Sequence, residues 1–107
     1  MNISEPISNY FAAKNRKDID GMLASFDANA SVKDEGEEHR GLAAIRAWME
    51  HTTRKYQVSA EIKDVTDDKG RLIVSALVSG DFPGSPAMLR YAFKLSGGKI
   101  ARLEIGA

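Results

Sequence analysis

Apolar residues in the first half of the chain recur every three or four positions, whereas in the second half they mostly alternate. Recurrence at 3.6 residues belongs to a helix with one buried face, and alternation belongs to a strand. In "SEPISNYFAAKN" the apolar positions Ile3, Ile7, Tyr10 and Phe11 predict a first helix, with Ser4 as its cap and Pro6 tolerated in the first turn. "RKDIDGMLASFD" predicts a second, capped by Asp18 and burying Ile19, Met22, Leu23 and Phe26. The clearest amphipathic helix is "LAAIRAWMEHTTRKY", where Leu42, Ile45, Trp48, Met49 and Thr52 share one face.

Between the second and third helices, alternation in "NASVKDEG" predicts a strand with Val32 and Asp34 on one face and Ser31, Lys33 and Glu35 on the other. Four more strands follow. "QVSAEIKDV" places Val58, Ala60 and Ile62 on one side. "RLIVSALVSG" is apolar on both faces, as a strand covered on both sides should be. "MLRYAFKLS" sets Leu89, Tyr91, Phe93 and Leu95 against Arg90, Ala92, Lys94 and Ser96. "KIARLEI" closes the series with Ile100, Leu103 and Ile105. "DDKG" and "SGGK" have hairpin composition, and "DFPGSP" makes a longer loop. The resulting order, α-α-β-α-β-β-β-β, predicts an α+β fold with a curved, largely antiparallel sheet wrapping helices on one face.

Composition narrows the class. The 107 residues suit one domain, and 43% hydrophobic with 28% charged residues is ordinary for a soluble globular chain. About two-thirds of the unfolded surface should be buried at this length, so neither disulfides nor a structural metal are needed. The absence of cysteine excludes a disulfide scaffold, a thiolate zinc site and a cysteine nucleophile, and fits a cytoplasmic location. Fifteen basic residues balance fifteen acidic ones without a basic stripe, so neither nucleic acid nor an anionic membrane is an expected partner. "MNISEPISNYFAAKN" lacks the order of a signal peptide, and no apolar run reaches the roughly 18 residues of a membrane span.

The three segments "NYFAAKNRKDIDGMLASFDANASVKD", "HRGLAAIRAW" and "VSGDFPGSPAMLRYAFKLSGGKIARLEI", in this order, resemble the nuclear transport factor 2-like superfamily, especially its SnoaL-like and ketosteroid isomerase-like branches. The resemblance covers essentially the whole chain and implies a single SnoaL-like domain over residues 1–107. It implies a cone-shaped, cystatin-like roll, with an apolar pocket between the sheet and the third helix. In ketosteroid isomerases a first-helix tyrosine donates to the substrate oxygen, and Tyr10 matches it. A first-strand aspartate shuttles the proton, and Asp34 in "SVKD" matches it. A second, protonated aspartate stands on a late strand, but here that position is Tyr91. The loop after Asp34 is also shorter, and Glu35 follows where those isomerases carry proline. The superfamily's hollow cores make Met22, Phe26, Trp48 and Met49 candidates for lining the pocket. Val32, Phe82, Phe93 and Leu103 join them.

Weighed as chemistry, Asp34, Tyr10 and Tyr91 form one carboxylate and two phenols. If all three face an apolar interior, desolvation raises the carboxyl toward the range of a general base. Neutral tyrosines donate to developing negative charge on a carbonyl oxygen. Base plus neutral donors is the logic of proton abstraction beside a carbonyl. The alternatives stay open: Asp34 as a solvated strand-end carboxylate, the tyrosines as core residues, and the helix stripe as plain core. His39 stands in a charged loop at the mouth of the proposed pocket, and His51 falls off the apolar face. Their spacing is not that of a metal pair, "GSPA" is no nucleophile elbow and there is no phosphate loop, so no metal or cofactor is expected.

Three functions fit this reading. One is an isomerase-, cyclase- or dehydratase-type enzyme acting on an apolar carbonyl compound with Asp34 as base. Another is a pocket that binds a small apolar ligand without turnover. The third is a module that pairs with a second copy through the outer sheet face, where Ile73 and Leu77 would otherwise be exposed.

Overall fold

The computed structural model describes residues 3–107. Helices α1 (Glu5–Asn15), α2 (Ile19–Leu23) and α3 (Leu42–Tyr56) pack on six strands, β1 (Phe26–Asp34), β2 (Glu37–Arg40), β3 (Ser59–Asp68), β4 (Arg71–Ser79), β5 (Ala87–Ser96) and β6 (Lys99–Gly106). The sheet order is β2-β1-β6-β5-β4-β3, antiparallel throughout except for the parallel β1–β6 pair. The α+β class and the one-sided helix layer agree with the periodicity. No helix among the described residues is long and apolar enough to cross a membrane.

Four local expectations are corrected. The charged run after Asp34 is not a loop but the sixth strand, β2. Asp34 pairs with Glu37, leaving a two-residue turn, Glu35–Gly36, with both φ positive at 53° and 79°. Such a turn matches the twist of a β-hairpin, and Gly36 adopts it without strain. On the outer face Arg102 of β6 donates to both oxygens of Glu38 at 3.0 and 3.2 Å, to Glu104 at 2.8 Å and to the Ser31 hydroxyl at 2.7 Å. That network ties β2 to β6 across β1, so the acidic run folds against a specific cation.

Phe26 belongs to β1 rather than to α2. Asp18 caps α2 as expected, its carboxylate accepting from Gly21 N at 3.0 Å, but the helix ends at Leu23. Pairing with β6 takes over at once: Ile100 N donates to Ser25 O at 2.8 Å and Phe26 stands opposite Ile100. Ser4 occupies the cap position of α1, yet its hydroxyl makes no capping bond and is buried without a partner among the described residues. On the outer face Ile73 is only 6% exposed, because it lies between Thr66 and Ala92 on the neighbouring strands. The exposed large apolar residue there is Met88, at 49%, opposite the half-buried Leu77.

The core lies between α1, α3 and the inner sheet face. Ile7, Tyr10 and Phe11 of α1 and Ile45, Trp48 and Met49 of α3 meet Val32, Val74, Tyr91, Phe93 and Leu103. Each fully buried side chain of this kind contributes roughly 1.5–3 kcal/mol of transfer free energy. The α1 layer is pinned to the edge strand β3 by a side-chain amide acting as a surrogate peptide. Asn15 Nδ2 donates to Ala60 O at 2.9 Å, and Ala60 N donates to Asn15 Oδ1 at 2.7 Å.

Candidate active site

Strand register builds the site. Asp34 of β1 and Tyr91 of β5 are both cross-strand partners of Ile105 on β6, one on each side. Their backbones therefore stand two strand spacings apart, roughly 10 Å, with both side chains on the helix-facing side. The Glu35–Gly36 turn makes Asp34 the last residue of its strand, half-buried at the rim.

Three further elements close a cavity of 390 Å³ over this row. Trp48 and Thr52 come from α3, and Lys14 from the last turn of α1. Phe82 and Pro83 come from the loop between β4 and β5, where the Phe82 ring meets Tyr56 edge-on at 6.1 Å. That loop docks because Asp81 N donates to Tyr56 O at 2.6 Å. A Cβ at Gly80 would come within 2.5 Å of the same oxygen, so the approach requires glycine there. Val58, Val78, Leu89 and Ile105 supply apolar wall.

Trp48 Nε1 donates to Asp34 Oδ2 at 3.0 Å, fixing the carboxylate against the cavity wall. Outside it, the His39 ring stacks on the Trp48 indole at 5.9 Å, and a polar groove lined by Glu37, His39, His51 and Lys55 also reaches Asp34. The carboxylate thus stands between an apolar interior and a polar exterior. Burial, and then the Asp34 charge, push the Tyr91 phenol well above its ordinary value, so it remains a neutral donor.

The predicted site residues divide into two sets. Asp34, Tyr91, Trp48 and Phe82 line the cavity together. Met22, Phe26, Val32, Met49, Phe93 and Leu103 are buried in the core and are not among the lining residues. Tyr10 is also core: edge-on rings of Phe11, Phe26 and Phe93 surround it, and its hydroxyl has no hydrogen-bond partner among the described residues. Its phenol is pushed far up by burial first, then by Tyr91 and Asp34.

Lys14 escaped the sequence reading. It is 9% exposed, lines the cavity and carries its Nζ 5.8 Å from the Tyr10 ring centroid. Burial pushes its ammonium down from 10.5 to about 8, with the Asp34 charge opposing and Lys17 adding to the shift. The signal was present, since Lys14 continues the stripe Ile7, Tyr10, Phe11 at helical spacing. Thr52, Tyr56, Leu89 and Ile105 were likewise readable only as faces of their elements.

A larger concavity of 570 Å³ lies elsewhere, between α1, α2 and the β5–β6 turn. Its charged groups, Glu5, Arg16 and Lys99, are all exposed, so it lacks the desolvation that perturbs Lys14 and Tyr91. Among the described residues no group of three or more metal-binding side chains converges.

Three helices packed on one face of a six-stranded mixed sheet give the chain a nuclear transport factor 2-like, ketosteroid isomerase-like fold. Residues 7–103 match the model of the SnoaL-like domain, and the chain belongs to that family. A solved structure from Sinorhizobium meliloti, named a "putative polyketide cyclase", is 38% identical with a TM-score of 0.93, covering 97% of this chain and 95% of that one. A cystatin-fold protein from Novosphingobium aromaticivorans is 21% identical with a TM-score of 0.80, covering 99% and 100%. A protein of ketosteroid isomerase-like fold from Catenulispora acidiphila is 17% identical with a TM-score of 0.85, covering 99% and 87%. The last two likenesses concern the fold alone. No curated protein matches the chain.

Proposed function

We infer that this SnoaL-like domain moves a proton beside the carbonyl of a small apolar compound, in an isomerisation, cyclisation or dehydration, with Asp34 as general base. The observation that carries the reading is the Asp34 carboxylate, held by Trp48 Nε1 at 3.0 Å on the wall of a largely apolar cavity. Asp34 takes the proton next to the carbonyl, the electron pair moves onto oxygen, and the Tyr91 hydroxyl donates to that oxygen. The protonated carboxyl then returns its proton to another carbon or to a leaving oxygen. The 38% identical relative named a "putative polyketide cyclase" supports this class of chemistry. Tyr10 has no part in it, and Tyr91 is the phenol assigned to the oxyanion.

A second reading, a pocket that binds a small apolar ligand without turnover, is favoured by one observation. Of the two phenols expected to act together, only Tyr91 borders the cavity. In either reading, pairing of two copies through the outer sheet face would cover Met88 and Leu77.

Deuterium exchange tests the proposal. A panel of apolar ketones and enones is incubated with the protein in heavy water, and mass spectrometry follows uptake beside the carbonyl. Exchange by the wild type that falls at least ~100-fold in Asp34→Asn, with the fold and ligand affinity retained, is the expected result. Ligands that bind without exchanging leave the binding reading instead.

A further inference from the structure

We propose that Lys14 is an amine nucleophile, which captures small apolar aldehydes or ketones in the cavity as an imine. The inference shares the cavity with the reading above but does not use its base.

Placement carries the argument. Lys14 is 9% exposed, and its side chain borders a 390 Å³ space walled by Trp48, Val58, Val78, Phe82 and Leu89. Among the described residues Nζ makes no hydrogen bond within 3.5 Å and no ion pair within 4.0 Å. Asp34 lines the same cavity, yet among the described residues it makes no ion pair with Lys14. Nζ is not among the sealed polar atoms that lack a partner, so the amine stays reachable; a lysine buried for structural reasons ordinarily finds a carboxylate or carbonyl. Even the half-buried Lys17, three residues on, finds one: its Nζ donates to Val58 O at 2.6 Å and to Ser59 Oγ at 3.2 Å.

A desolvated amine is neutral, and therefore nucleophilic, at lower pH than a surface one. The groups around Lys14 are Asp34, Tyr10, Tyr91 and Lys17; the Asp34 charge and the Tyr10 ring face favour the charged amine, Lys17 disfavours it, and burial is the largest influence. With a folded-state value near 8, roughly two-hundredfold more of Lys14 is neutral at pH 7.5 than of a surface lysine. In the reaction the Nζ lone pair forms a bond to the carbonyl carbon, and the carbonyl π pair moves to oxygen. Two amine protons leave with that oxygen as water, so one amine and one carbonyl give one imine and one water without a redox change. The apolar wall favours a carbonyl carrying a hydrocarbon group over a hydrated, charged one.

Reductive trapping tests this. Wild type, Lys14→Arg, Lys14→Met and Asp34→Asn are treated with benzaldehyde and cyanoborohydride at pH 7.5, and benzylated lysines are located by peptide mass mapping. Lys14 should be labelled at least about tenfold faster than any of the other seven lysines. Its labelling should reach half its maximum near pH 8 and persist in Asp34→Asn. Labelling of Lys14 no faster than the surface lysines, or rising only near pH 10, overturns the proposal whatever Asp34 does. Selective labelling without deuterium exchange overturns the general-base reading and leaves the amine site standing.

Discussion

Trp48 and Asp34, fourteen residues apart in sequence, meet through a 3.0 Å bond from the indole N–H to a carboxylate oxygen. The bond links α3 to the end of β1 and gives the half-buried carboxylate a donor beside apolar wall. Hydrogen bonds to charged groups contribute about 1.5–3 kcal/mol when buried, and partial exposure reduces that. A double-mutant cycle of Trp48→Phe and Asp34→Ala in urea should therefore show a coupling of about 1 kcal/mol. Strict additivity would mean that the two groups are only neighbours.

Tyr10 makes the opposite prediction. A buried hydroxyl without a partner costs about 1–3 kcal/mol of desolvation. Tyr10→Phe should leave the chain as stable as wild type, or more stable by about 1 kcal/mol. Any exchange activity should be unaffected, whereas loss of a true oxyanion donor costs ~100-fold or more. A drop of that size on substitution would return Tyr10 to the chemistry.

The lowered value of Lys14 fixes the sign of a pH effect. Between about 8 in the folded chain and 10.5 in the unfolded one, the unfolded chain binds a proton that the folded chain does not. Stability must therefore rise with pH across that window, and below it the full cost of the buried ammonium is present. Measured against Lys14→Met, the wild type should gain about 2–3 kcal/mol between pH 7 and pH 10. Urea melts of both proteins at each pH provide the check, and a constant difference contradicts a desolvated Lys14.

Outer-face pairing rests on Met88, 49% exposed and opposite Leu77. With Ile73 already covered within one chain, Met88 is the residue to alter. Light scattering should give a dimer for the wild type and a monomer for Met88→Lys. A wild type that stays monomeric at high concentration removes the pairing reading.

Much of this architecture was legible because period-2 and period-3.6 patterns survive wherever one face is buried. α3 and β5 were readable to within about a residue for that reason. β2 was not, because an edge strand of four mostly exposed residues carries no alternation; what orders it is Arg102, 64 residues beyond Glu38. Phe26 was misplaced because its helical spacing from Met22 is genuine, and only pairing with Ile100 decides against it. At the site, parity placed Asp34 and Tyr91 correctly on the inner face. Parity cannot separate a hollow from a filled interior, so most residues expected to line the cavity are simply core. Lys14 was missed for another reason, that a lysine on an apolar stripe is usually read as a surface residue whose stem packs.

The parallel pairing of β6 with β1 has a kinetic side. The C-terminal strand lies in the middle of the sheet, with Val32 opposite Leu103, 71 residues away. The β1–β2 hairpin and the β3–β4–β5 meander can each form locally, but no strand joins them until β6 inserts. Closing so long a loop before any reward makes folding slow relative to a helical bundle of equal size. While the emerging chain lacks β6, two open sheet edges and half a core wait for the same eight residues.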